Sequence, residues 1–364
     1  MIYKLFIKKI ERFKITLDHT PKLLLALVIG TSGGAIFFVS NLPLPWMLGS
    51  MTAATIASIS GAPIKVPPIF RNCMVAILGV LLGTQFTPGI FSDISNWYAG
   101  IIGVIISIII MMFIGIIILR YIGKYDSVTA FFSAIPGGLS EMILVGNTFG
   151  GDDKKIAISH AARVLTAVFL IAFYFRLFES YEPTANSILT QNDFNLSGIL
   201  ILIGCAFIGY PFAMILRIPA SQLVGPLVLS AGFSLTGLVN TALPEELVII
   251  SQIILGAAIG ARFAGSAFCI LIKPLLLSVL VGIIMVSCAG LIAFILGKII
   301  GAPSSILFLA LAPGGLAEMS IIALSMNADS AFVSSHHVLR IAILVIVAPI
   351  IFRCFSSYKK FKNK

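Results

Sequence analysis

The stretch PGGLSEM (Pro136–Met142) lies inside a long apolar run, and PGGLAEM (Pro313–Met319) lies inside another in the second half of the chain. Proline removes a backbone donor and its ring clashes with the preceding turn, and two glycines weaken a helix further. Each stretch is therefore expected to interrupt a helix. Each also carries a carboxylate, Glu141 or Glu318. The reading of the chain turns on what surroundings accept a broken helix and a charge twice over.

Of 364 residues, 59% are hydrophobic and 10% charged, far from the balance of a soluble domain. Apolar segments recur near residues 23–39, 46–60, 73–87, 98–119, 127–147, 157–178, 198–216, 222–240, 247–263, 275–297, 304–325 and 337–355. Crossing a hydrocarbon layer of about 30 Å takes roughly 17–25 such residues. No barrel-like alternation is present, so the expected class is an all-α polytopic membrane protein. The basic start, MIYKLFIKKIERFK, could open a secretory signal. No small-residue cleavage site follows the first apolar run, and a retained cytoplasmic tail is the preferred reading. Cys73, Cys205, Cys269, Cys288 and Cys354 stand singly, without C-x-x-C spacing, and read as packing residues.

The formal net charge is +10, yet of 24 Lys and Arg six lie in residues 1–22 and five in 353–364. That is how tails facing the cytoplasm are charged, and no soluble module offers the basic face that nucleic-acid binding requires.

Sliding the chain along itself until Pro136 meets Pro313 superimposes Gly79, Gly83 and Phe86 on Gly256, Gly260 and Phe263, the two Pro-Gly-Gly-Leu-x-Glu-Met motifs on each other, and Asp152, His160 and Arg163 on Asp329, His337 and Arg340. A one-residue gap extends the match back to Pro43 and Gly49 against Pro219 and Gly225. Two homologous repeats follow. The expected organisation is a basic tail (1–20), a first repeat (21–180), an external loop (181–197), a second repeat (198–355) and a basic tail (356–364).

Lys and Arg placement arbitrates orientation. With Arg163 and Arg340 set aside as buried, 22 of the 24 Lys and Arg remain; if each Pro-Gly-Gly segment enters and leaves by one face, all but Arg176 and Lys298 fall inside. If all twelve segments cross, Lys154, Lys155, Arg217, Arg262 and Lys273 fall outside instead. The favoured arrangement is ten crossings plus two oppositely facing broken or re-entrant segments, the halves inverted. The count stays open between ten and twelve because segments 46–60 and 73–87 are short.

Unwound backbone at membrane depth is tolerated where protein encloses it or where it lines a wet cavity. A break beside a carboxylate is how discontinuous helices form substrate and ion sites in secondary transporters. The competing reading is a packing kink with its Glu near an interface. His160 and Arg163 share a helix face, as do His337 and Arg340. Each Arg is expected to partner the Glu of its own repeat or an anionic substrate, or else to snorkel to lipid headgroups. The candidate substrate- and ion-binding set is Gly137, Gly138, Glu141, His160 and Arg163 with Gly314, Gly315, Glu318, His337 and Arg340, and Glu141 and Glu318 are expected to share one site. His336 has Ser159 at its matching position and is unassigned. Adjacent His336 and His337 point apart, so no metal site is expected, and no cofactor. Small residues four apart in GVLLGTQF and GAAIGARF suit close helix packing, and Gln85 against Arg262 marks a difference in polarity between the repeats.

The paired PGGLSEM…His160–Arg163 and PGGLAEM…His337–Arg340, preceded by LPLPWMLGSM and LGVLLGTQFTP, resemble the AbrB-type membrane proteins with a duplicated domain, often labelled as ammonia monooxygenases or regulators. They are distinct from the small DNA-binding regulator of the same name. The resemblance covers about residues 20–355. The PWMLGSM…LLGTQFTP pattern is similar, more weakly, to cation:proton antiporters, whose superfamily includes anion carriers with inverted repeats and crossed broken helices. The resemblance implies a transporter fold and leaves the substrate open. The monooxygenase label finds no cluster of His and carboxylates to support it. The expectation is a proton-coupled secondary transporter or exchanger in the cell inner membrane, not an enzyme, with the lipid bilayer and a small solute as partners, a possible homodimer, no nucleic acid, and both termini cytoplasmic. The alternative is a membrane-embedded sensor that affects gene expression indirectly.

Overall fold

The computed structural model describes residues 2–86, 88, 97–179, 196–239, 241, 243–265, 268–326 and 328–362, without side-chain detail for 2–19, 140, 196, 268–271 and 353–362. Among the described residues there is no strand, and fourteen α-helices fall in two runs of seven. The first run is α1 (Ile2–Val39), α2 (Ser50–Ile59), α3 (Pro68–Gly83), α4 (Trp97–Ile117), α5 (Ser127–Ala134), α6 (Leu139–Thr148) and α7 (Asp153–Phe178). The second is α8 (Leu196–Ile215), α9 (Ser221–Leu235), α10 (Glu245–Gly260), α11 (Phe268–Ile300), α12 (Ser304–Leu311), α13 (Leu316–Ser325) and α14 (Ser330–Lys362).

Seven helical stretches are long and apolar enough to cross a membrane: Thr20–Val39, Trp97–Ile122, Asp153–Phe178, Ser197–Ile215, Glu245–Phe263, Ile272–Ile300 and Ser330–Phe352. The protein is multi-pass and all-α. Large apolar side chains such as Val28, Ile36, Phe207, Leu276 and Ile299 stand exposed on its outside, which hydrocarbon accepts and water does not. The expected tails are continuous with the helices beside them: α1 starts at Ile2 and α14 runs to Lys362. Residues 2–20 contain neither Pro nor Gly, so nothing local stops the helix at the point where charge replaces apolar residues. The loop expected over 181–197 lies almost wholly outside the described residues.

The helices pack as two bodies with the halves exchanged. In one body, α1–α3 pack with α8–α10; in the other, α4–α7 pack with α11–α14. Within the first, α3 crosses α9 and α10 crosses α2. Gly79 and Gly83 make the first crossing possible, since a Cβ there would meet the Leu223 and Leu227 carbonyls of α9; Gly256 and Gly260 do the same against α2. Close backbone approach of this kind replaces the hydrophobic drive that lipid does not supply between helices. Hydroxyls tie the crossing: Ser50 donates to Ile253 O at 2.7 Å and Ser58 to Gly260 O at 2.9 Å. In the second body α7 packs on α11 of the other half, and α14 on α4. The bodies meet where α3 approaches α13 and α14, and where the short turn Ala261–Phe263 approaches α7.

Candidate functional site

Both Pro-Gly-Gly segments interrupt their helices. One helix stops at Ala134 and resumes at Leu139; the other stops at Leu311 and resumes at Leu316. A helix that stops inside protein strands its last carbonyls and the next helix's first amides. Side chains of α7 and α14 satisfy the carbonyls. Arg163 donates from Nη1 to Ile135 O at 2.9 Å and from Nη2 to His160 Nδ1 at 3.0 Å. His160 Nε2 lies 2.8 Å from Phe132 O. Arginine only donates, so Nδ1 accepts and Nε2 carries the proton that goes to the carbonyl. The arrangement recurs at the second break. Arg340 donates to Ala312 O, to Gly314 O at 2.9 Å and to His337 Nδ1 at 2.8 Å, and His337 Nε2 lies 2.9 Å from Leu309 O. A cation at the negative end of a helix dipole is favourably placed.

This geometry differs from what the sequence suggested for the two arginines. Each is 3% exposed and neither snorkels, and among the described residues no ion pair joins either to Glu141 or Glu318. The carbonyls freed by the break, on the chain just before each Pro-Gly-Gly, take up the guanidinium instead.

The glutamates serve the resumed helices. Gly138 and Gly315 are N-caps of α6 and α13, and Glu141 and Glu318 lie in the first turns. Each carboxylate folds back over its cap glycine, where a Cβ would collide with Oε2. A carboxylate there faces the positive end of the dipole. None of Gly137, Gly138, Gly314 and Gly315 takes a positive φ. Their requirement is room rather than backbone freedom.

The two breaks line one cavity of about 150 Å³ between the two bodies. Nine of the ten candidate residues line it; His337 does not, and acts through Arg340. Glu141 and Glu318 thus share a site although they belong to different halves of the sequence. The remaining walls come from α3, α10 with the turn Ala261–Phe263 after it, and the start of α9, and they add two cations, Arg71 and Arg262. Arg71 escaped the sequence reading. Its signal was a mismatch between the halves, because the matching position in the second repeat is Val248. A larger cavity of about 640 Å³ between α3 and α8 is apolar except for Asn72 and Tyr210. Among the described residues no charged side chain lines it.

A family model described as "Transition state regulatory protein AbrB" matches residues 46–356. The chain is 28% identical over 351 residues to "Uncharacterized protein YhjN" of Bacillus subtilis (strain 168), covering 90% of this chain and 91% of that protein. It is 25% identical over 328 residues to "Putative regulator AbrB" of Escherichia coli (strain K12), covering 88% and 93% respectively.

Proposed function

The chain belongs to the AbrB family, and we propose that within it this protein is a secondary active transporter or exchanger of a small solute, working by alternating access. The observation that carries the reading is the cavity's position. It lies between two separately packed bodies and is lined by both helix breaks, so a rocking of one body against the other would expose it to one side and then the other. Protons are the coupling ion, since Glu141 and Glu318 are titratable groups that face the cavity and His160 is held by Phe132 O and Arg163. The protein lies in the inner membrane with both termini cytoplasmic, ten crossings and two oppositely facing re-entrant segments, and performs no enzymatic step.

The test is solute flux into proteoliposomes, screened across anions, amino acids and cations with and without a pH gradient. Saturable, gradient-dependent flux of one class is the expected result. A second reading, a membrane sensor, is favoured by the word "regulator" in the name of the Escherichia coli relative. Solute binding without flux in the same vesicles would select it.

A further inference from the structure

We infer that the cavity between the two bodies takes a small organic carboxylate, an assignment that deepens the transporter reading and rests on it for the site's role. Charge is the first ground. Arg71, Arg163, Arg262 and Arg340 line the cavity against only Glu141 and Glu318, so an anion improves the balance where a neutral or cationic solute would worsen it. Both resumed helices, ten residues each, begin at its wall and present the positive ends of their dipoles to it. The second ground is independent of the helix ends. Arg163 Nε and Arg340 Nε are buried and have no hydrogen-bond partner, although every other polar atom of these guanidiniums is engaged. Those two atoms are closed off from the cavity, whereas Arg71 and Arg262 line it and, among the described residues, their side chains make no hydrogen bond or ion pair, so an oxyanion there would meet two guanidiniums that lack a partner.

Size and shape narrow the class. About 150 Å³ is the liquid volume of roughly five waters, which suits a short mono- or dicarboxylate. The chain's own carboxylates already lie over the two cap glycines, so the places are dimensioned for that group. A substrate carboxylate would take the place of one Glu carboxylate at a helix start. Arg71 and Arg262 come from different halves, and their counterparts, Val248 and Gln85, do not line the cavity. The additional positive charge therefore belongs to one rim only, where it would draw anions in from one side.

The experiment is equilibrium titration of the purified full-length protein with acetate and succinate, with acetamide, succinamide, methylammonium and phosphate as comparison solutes. Saturable binding of acetate or succinate is expected, with none of the amides or the cation. Arg71→Gln and Arg262→Gln should each weaken it about tenfold, while Arg262→Lys, which retains charge, should lose less. Melting profiles check that the variants fold. Equal binding of the amides, saturation by phosphate or methylammonium alone, no saturable binding of either carboxylate, or unchanged affinity in both folded Gln variants would each overturn the inference. Carboxylate binding without flux in proteoliposomes would instead overturn the transporter reading and leave the anion site standing. Flux of a neutral or cationic solute without carboxylate binding would do the reverse.

Discussion

At the first break Arg163 reaches Ile135 O and His160, and at the second Arg340 reaches Ala312 O, Gly314 O and His337. At the rims the correspondence ends: Arg71 stands against Val248 and Arg262 against Gln85. In the shared part the arginines and histidines hold the helix ends, and any loss there is structural. In the unshared part Arg71 and Arg262 line the cavity and their counterparts do not. The duplicated residues therefore build the site, and the residues that differ orient it.

The largest effect should come from the shared part. Arg163→Ala or Arg340→Ala leaves buried carbonyls and a histidine nitrogen without a donor. Hydrogen bonds to a charged group contribute about 1.5–3 kcal/mol each, so a loss of about 3–5 kcal/mol is expected in either half. Arg340 should be the costlier, because it engages both Ala312 O and Gly314 O, while the second carbonyl contact of Arg163, to Ser133 O, is 3.5 Å long. Thermal unfolding of the purified variants measures this. A mild loss in one half only would mean that the two breaks are not built alike.

The carboxylates are shared as well, but their loss should show in flux rather than in stability. Glu141→Gln and Glu318→Gln both keep the helix starts folded, since an amide can still reach the cap. Arg262 and Arg71 act electrostatically on Glu318, so Glu318→Gln is expected to reduce pH-gradient-driven flux by about tenfold, equivalent to about 1.4 kcal/mol, and Glu141→Gln by less. Equal losses would make the cationic rim irrelevant to coupling.

A smaller contrast lies in the glycines. A Cβ on Gly314 would come within 2.9 Å of Met319 Sδ and 3.0 Å of Cγ, whereas on Gly137 the nearest Met142 atoms are 3.3 Å away. Both methionines are fully buried. Gly314→Ala should cost about 1–2 kcal/mol by overpacking, and Gly137→Ala less than about 1 kcal/mol. Matching melting shifts would remove the distinction.

How much of this was legible depends on the distance over which each feature is determined. The breaks are local: Pro136 and Pro313 with their glycines stop a helix whatever surrounds them. The small residues at Gly79, Gly83, Gly256 and Gly260 announced close crossings, and the apolar runs announced a membrane. The partners of those crossings were not legible, because α3 meets α9 and α10 meets α2 from the opposite half, and spacing along one helix carries no information about its neighbour. Arg163 and Arg340 were found, but the carbonyls they bind were not among the partners expected for them. Their carbonyl acceptors are backbone atoms on the far side of each break, at Ile135 and Ala312, invisible to residue type, while Glu141 and Glu318 were conspicuous side chains. Arg71 was not singled out, and the one local mark it carried was its mismatch with Val248.

The smallest expected effect sharpens the comparison from the other side of each break. Asp126 caps α5, accepting from the Val128 and Thr129 amides at 3.0 and 2.9 Å. Its counterpart before α12 is Pro303, which offers no side-chain cap. The φ there is nearly the same, −62° at Asp126 and −59° at Pro303, while ψ is 164° and 119°, so an aspartate at the proline position needs a modest turn of ψ to cap. Asp126→Ala should cost about 1 kcal/mol, and Pro303→Asp should add up to a similar amount. Acidity distinguishes a true cap from a general effect of charge. Burial pushes the Asp126 carboxyl upward, but hydrogen bonds from Thr129 and Val128 outweigh it, leaving the group below the ordinary carboxylate range. A depressed folded value means stability that is present at neutral pH and lost as pH falls through that value. The gap between wild type and Asp126→Ala should therefore narrow under acid, and the gain from Pro303→Asp should narrow with it. The change will be slight because the site is open to solvent. A gap that stays constant in melts taken from about pH 6 down to about pH 3 would show that the carboxylate does not cap α5.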